Sequence, residues 1–205
     1  MTNETLDNVI YASFGNGRST QHSAENIQRY EMGMAVVDGN TVRYHNSDDQ
    51  ANHKREAINM DKLVKDYLSS ARGGAFLDYV RFRGGRLLDI KGVGAGDLGE
   101  HVVAALLSDG LEGYILSNYD GKSFESRVNE MAKMYGIDEK AMTEYVLTHE
   151  LGHAAGYHSE EGVEGFIKDY FTSQAFRTSG EEREKYLELA KIAEKREAEA
   201  KEAGN

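Results

Sequence analysis

Asp138-Glu-Lys-Ala-Met-Thr-Glu-Tyr-Val-Leu-Thr-His-Glu-Leu-Gly-His-Ala-Ala-Gly156 is the stretch on which the reading of this chain turns. Asp138 can cap a helix, Ile137 and Met142 can staple its entry, and Gly156 can close it. Met142, Tyr145, Val146, His149 and His153 then recur at helical spacing on one face. Within that helix His149-Glu150-Leu151-Gly152-His153 is an HExxH motif. Four-residue spacing stacks two imidazoles one turn apart, so both rings can reach one zinc ion. Glu150 projects close by without being obliged to ligate, and can take the proton of a water that attacks a carbonyl. The plain alternative is a chance match, with two histidines packed on an amphipathic helix. Helical placement, an inward face and the small Gly152 favour the metal.

Catalytic zinc takes three protein ligands and a water, so two histidines leave the site one short. The text that follows is His153-Ala-Ala-Gly-Tyr-His-Ser-Glu-Glu-Gly-Val-Glu164. A metzincin would need its third histidine at position 159, which is Ser159, while His158 falls one residue early. The other source is an acid on the next helix, which Ser159 opens and which carries Val163, Phe166, Ile167, Tyr170 and Phe171. On a wheel of about 100° per residue with Val163 at zero, Glu160 lies near 60°, Glu164 near 100° and Glu161 near 160°. Glu161 therefore points to water. Glu164, with Ile167 and Phe171 following on its side, is the expected ligand, and Glu160 and His158 are the alternates. Tyr157 or His158 could polarise a tetrahedral intermediate by proximity.

These segments together carry a resemblance. Met131-Ala-Lys-Met-Tyr-Gly-Ile-Asp138, then Glu144 to Gly156, then the acidic aromatic helix, resemble the small archaeal minigluzincin metallopeptidases. Those are similar in core to the catalytic domains of the M48 membrane peptidases. The resemblance spans about residues 86–175. It implies a compact α+β zincin fold with two helix histidines, a catalytic glutamate and a glutamate third ligand. It also implies latency imposed by a C-terminal segment in some members.

Outward from this core, Met34-Ala-Val-Val37 and Thr41-Val-Arg-Tyr44 flank Asp38-Gly39-Asn40 and read as a hairpin. Ala57 to Leu68 reads as a helix that should stop before Gly73-Gly74. Arg86 to Lys91 and Gly113 to Ser117 read as strands, Leu98 to Leu107 and Phe124 to Tyr135 as helices. Ser179 and Glu182 suggest a capping box for a last helix. Its residues 181–193 carry an apolar stripe, which must dock on its own domain or on a second copy as a homodimer. Residues 194–205 are almost all charge and alanine and read as a solvated or frayed tail. The expected organisation is an accessory region over 1–85, a metallopeptidase domain over 86–177 and a C-terminal helix over 178–205.

Gly94-Ala-Gly-Asp-Leu-Gly99 spells GxGxxG between an expected strand and helix, the setting of a dinucleotide site, with Asp120 downstream. Arg72-Gly-Gly and Arg83-Gly-Gly, with Arg81 and Arg86, form a basic island, read as a structural or partner-facing patch. His22, His45, His53 and His101 have no metal spacing.

Composition narrows the function classes. The 205 residues are 40% hydrophobic and 29% charged, enough for a packed core. A net charge of −11 argues against a nucleic-acid partner, since phosphate binding relies on basic clusters. Zero cysteines removes thiolate metal sites, disulfides and cysteine nucleophiles. The longest apolar run, residues 101–107, is too short to enter a bilayer, and the first residues lack a signal pattern, so a soluble cytoplasmic protein is expected. The expected function is a zinc metallopeptidase acting on a peptide or protein substrate. Its rivals are a catalytically silent zincin-fold binding module and a nucleotide-binding protein.

Overall fold

A computed structural model of the chain describes residues 12–13, 33–45, 47–99, 102–108 and 112–204. In chain order these carry β1 (Ala12–Ser13), β2 (Met34–Asp38), β3 (Thr41–His45), α1 (Gln50–Ser69), α2 (Ala71–Phe82), β4 (Asp89–Gly96), β5 (Ala104–Ser108), β6 (Glu112–Asn118), α3 (Phe124–Tyr135), α4 (Glu139–Ala154), α5 (Glu160–Arg177) and α6 (Gly180–Ala203). The mixed α+β class matches the expectation. Among the described residues no helix is long and apolar enough to cross a membrane. The chain divides into two compact units, one of Met1–Asp66 with Leu88–Phe124, the other of Tyr67–Leu87 with Glu125–Asn205. The second unit therefore draws α2 from ahead of residue 86 and α6 from beyond residue 177.

The first unit is built on a sheet in the order β1-β5-β6-β4-β2-β3, with the two-residue β1 at one edge. β4 and β6 run parallel and the other neighbours antiparallel. The expected hairpin forms, with Val37 opposite Val42 and Asp38 opposite Thr41. Strand alternation sorts β2 onto two faces. Met34 and Val36 join Leu98, Ala105 and Leu116, while Ala35 and Val37 join Ala57, Ala95 and Tyr119.

Two expectations fail here. Gly94 and Gly96 are not a strand-to-helix turn but lie inside β4, and the stretch read as a helix over 98–107 ends in strand β5. Close packing requires the glycine at 94, because a Cβ there would sit 2.4 Å from the Ala35 carbonyl oxygen. The loop after β4 is held by Asn118, whose side chain accepts from Leu98 N at 2.8 Å and donates to the Val102 carbonyl at 2.6 Å. Gly99 N bonds Asp97 at 3.1 Å. The amides that would cradle a phosphate are thus already spent. His53 is satisfied by Ser47 at 2.6 Å and the Tyr119 carbonyl at 3.2 Å. His22, His101 and the side chain of His45 lie outside the described residues.

The second unit is a helical assembly, α2 to α6. α1 stops at Ser69, ahead of Gly73-Gly74 as expected, but the two glycines lie within a further helix, α2, whose cap Ser70 accepts from Gly73 N at 3.1 Å. The cap and the burial of Phe76, Tyr79 and Val80 outweigh the poor helix propensity of two glycines. Phe76 packs edge-on to Tyr170 and Phe166, at 5.3 and 6.0 Å between ring centres. Three arginines of the basic island are paired within the unit: Arg72 with Glu144, Arg81 with Asp78 and Arg83 with Asp169.

At the chain's end two further readings change. Ser179 precedes α6 but makes no side-chain cap bond, and Glu182 faces Arg72 at 3.5 Å. Nor do residues 194–203 fray. α6 continues to Ala203 with Arg196 and Ala200 buried, and its apolar stripe is used within the unit, through Tyr186, Leu189, Ile192 and Ala193.

Candidate metal centre

The site grows from two capped helices. Asp138 accepts from Ala141 N at 2.9 Å to start α4, and Ser159 accepts from Gly162 N at 3.0 Å to start α5, both as the sequence suggested. These helices approach closely at Gly152. A Cβ there would lie 2.6 Å from Val163 Cγ2, so the absent side chain sets how near α5 comes to the histidines.

His149, Glu150 and His153 are wholly buried on α4, at 0% exposure each. Their rings present Nε2 atoms to one another 3.0 Å apart. Glu160, on the first turn of α5, places Oε2 3.5 Å from His149 Nε2 and Oε1 3.6 Å from His153 Nε2. A tetrahedral centre with bonds of about 2.0–2.1 Å has donor–donor edges of roughly 3.3–3.4 Å. The two imidazole nitrogens, 3.0 Å apart, each face a different oxygen of Glu160, and one donor atom from each of His149, His153 and Glu160 lies within 4.8 Å of the others, a buried group that could hold a metal ion.

The rear nitrogens face oxygen atoms. His153 Nδ1 donates to the Tyr157 carbonyl at 2.6 Å, leaving the Nε2 lone pair forward. His149 Nδ1 lies 3.2 Å from Glu164 Oε1, close enough for a charge contact though not aligned as a hydrogen bond. That is the outer-shell pattern common around metal-binding histidines. Glu164 thus lies behind a ring, while Glu160 stands in front of both. Glu164 is further held by Tyr145, whose hydroxyl donates to Oε2, and by Arg196, whose Nε donates to Oε1 at 2.6 Å.

The electrostatics follow from burial and neighbours. Burial pushes the His153 pKa below the ordinary imidazole value, favouring the neutral ring that a metal needs. At His149 burial acts the same way, but the carboxylates of Glu160 and Glu164 outweigh it and hold the ring above its ordinary value. Burial raises both acids, yet each remains below the usual carboxylate range, Glu160 through His149 and His153, Glu164 through Arg196 and His149.

Of the other candidates, His158 is exposed and stands outside the cluster, and Glu161 is half-buried. Tyr157 contributes its carbonyl to His153 while its ring stacks on Phe166, with centres 4.2 Å apart. Arg196 escaped the sequence reading because it sits in a run of charge. The signal was there: with Leu189, Ile192, Ala193 and Ala200 it keeps the spacing of one helix face. No family model, curated protein or solved structure matches the chain.

Proposed function

We propose that the chain is a zinc-dependent metallopeptidase whose ion is held by His149, His153 and Glu160. The observation that carries this reading is the triangle of His149 Nε2, His153 Nε2 and the Glu160 carboxylate, formed on an HExxH helix. Glu160 takes the ligand role expected of Glu164, and Glu164 supports His149 from behind. A zinc ion in that position supplies Lewis acidity, bringing a water's pKa to about 7. Glu150 acts as the general base, taking the water's proton as oxygen adds to the peptide carbonyl carbon. It returns that proton to the departing nitrogen as the C–N bond breaks, so atoms and charge balance. The Tyr157 carbonyl keeps the His153 lone pair forward, and Glu164 sets a carboxylate behind His149.

The test has two arms. The purified chain should carry about one zinc, and His149→Ala or His153→Ala should each release it. Glu150→Gln should keep the zinc and lose peptide hydrolysis by roughly two orders of magnitude or more. Full zinc retention in both histidine variants would remove the basis of the proposal.

A second reading, a non-catalytic module in which a metal clamps α4 to α5, is favoured by the complete burial of His149, Glu150 and His153. Bound zinc with no hydrolysis, and a melting temperature that collapses on chelation, would select it. The nucleotide-binding rival has lost its structural footing with the helix expected after Gly99.

A further inference from the structure

The residue that the metal reading leaves unexplained is Arg196. A guanidinium is an expensive group to bury, and an ion pair in a protein interior is often no more stabilising than apolar residues of the same volume. Arg196 is nonetheless 8% exposed and spans from α6 to a carboxylate that is 1% exposed. Its Nε bonds the same Glu164 oxygen that faces His149 Nδ1. Three side chains from two helices thus converge on one carboxylate: Tyr145 and His149 from α4, on Oε2 and beside Oε1, and Arg196 from α6 on Oε1. With both oxygens engaged, the carboxylate is held in one orientation, 3.2 Å from His149 Nδ1.

We propose that Arg196 is a positioning residue for the metal centre: through Glu164 it fixes the His149 ring, so that metal affinity depends on α6 being docked on α5. The inference rests on the reading of His149, His153 and Glu160 as a metal site. Arg196 also draws electron density from Glu164 that would otherwise strengthen His149 as a donor. Its contribution is therefore orientation rather than ligand basicity. α6 is brought into place by its buried stripe and by Lys185, which pairs with Glu144 at 3.0 Å, whereas the Lys168–Glu197 pair, 30% and 29% exposed, adds little to that docking. The dependence is reciprocal, because whatever docking adds to metal affinity the metal returns to docking.

The experiment measures zinc affinity of the full chain by competition with a chromophoric chelator, alongside the visible spectrum of the cobalt-loaded protein. Arg196→Met keeps a long buried stem and should bind zinc about 10–100-fold more weakly, the usual cost of losing an outer-shell partner. The cobalt spectrum should change with it, since the His149 ring is no longer held. Arg196→Lys, which restores a charge but not the planar fork, should recover part of the affinity. Lys168→Met removes a pair from the same α5–α6 interface without touching Glu164, and should leave both readouts at the wild-type level. If Arg196→Met fails to fold, the double variant Glu164→Gln/Arg196→Met removes both charges together and should show the same weakening. Wild-type affinity and an unaltered cobalt spectrum in either variant would overturn the inference. So would equal losses in Arg196→Met and Lys168→Met, which would make Arg196 one docking contact among several. A wild-type chain that binds neither ion overturns the metal reading itself, and this inference with it.

Discussion

Replacing Gly152 with alanine sets two opposed effects against each other. Glycine inside a helix costs about 1 kcal/mol relative to alanine, so propensity alone predicts a stabilised α4. The new methyl, however, would sit 2.6 Å from Val163 Cγ2 and 3.5 Å from Ile167 Cγ2. Carbon atoms pack best at about 3.5–4.0 Å, so roughly 1 Å must be found at Val163. Val163 and Ile167 are wholly buried, and valine has little χ1 freedom, so the relief must come from moving α5. Overpacking of this kind costs about 1–3 kcal/mol, which leaves a net loss of up to about 2 kcal/mol after the propensity gain. In a chain of this length that lowers the melting temperature by up to roughly 8 °C. The same movement carries Glu160 away from the two rings, so zinc affinity should fall with stability. Gly74→Ala is the internal comparison, because its Cβ would meet nothing within 4 Å. There the propensity gain is unopposed, and stability should rise by up to about 1 kcal/mol. Urea denaturation of both variants, with and without zinc, reads both effects. A Gly152→Ala protein as stable as the Gly74→Ala protein would show that the α4–α5 approach does not constrain the site.

Three further outcomes follow from the same geometry. Glu160→Ala should abolish stoichiometric zinc binding, whereas Glu164→Ala should weaken it about 10–100-fold, a difference that titration with a metal indicator resolves. Removal of residues 178–205 should expose the apolar face of α5 and strip Glu164 of Arg196, so zinc content and thermal stability should both fall; a folded, zinc-replete truncation with raised peptidase activity would instead mark α6 as an inhibitory segment. In chelator-treated protein Glu164, held below its ordinary value of 4.5, contributes stability that is fully present above about pH 4.5 and is lost as pH falls through the lower folded value. Glu164→Gln should therefore flatten the acid limb of the stability profile, as measured by denaturation between pH 3 and 6, and an unchanged slope would contradict that assignment.

The parts of the site legible in the sequence are those set by local chemistry. HExxH spacing, the Asp138 and Ser159 caps and the inward face of α4 depend on residues within a turn or two of each other. The choice between Glu160 and Glu164 does not. A helical wheel gives the angle of each acid about the α5 axis but not its height, and height decides which acid stands level with the two Nε2 atoms. Arg196 was hidden because a charged residue in a charged run has no visible partner until α6 is laid on α5. The stretch from Leu98 to Leu107 misled for a related reason. Its short apolar run suits helix or strand equally, and what settles it is Asn118, whose side chain ties down the loop from 16 to 20 residues away.

The Arg196–Glu164 bond links positions 32 residues apart in sequence. On a chain made from its N-terminus, that separation is also an interval of time. At about 5–20 residues per second, α4 and the start of α5 exist for roughly 2–6 s before Arg196 has been added. Through that interval Glu164 has no guanidinium to answer it, and the His149 ring has no fixed support. The centre described here is therefore not assembled in the order of its ligands. It is completed from behind, by a helix that supplies none of the three candidate donors.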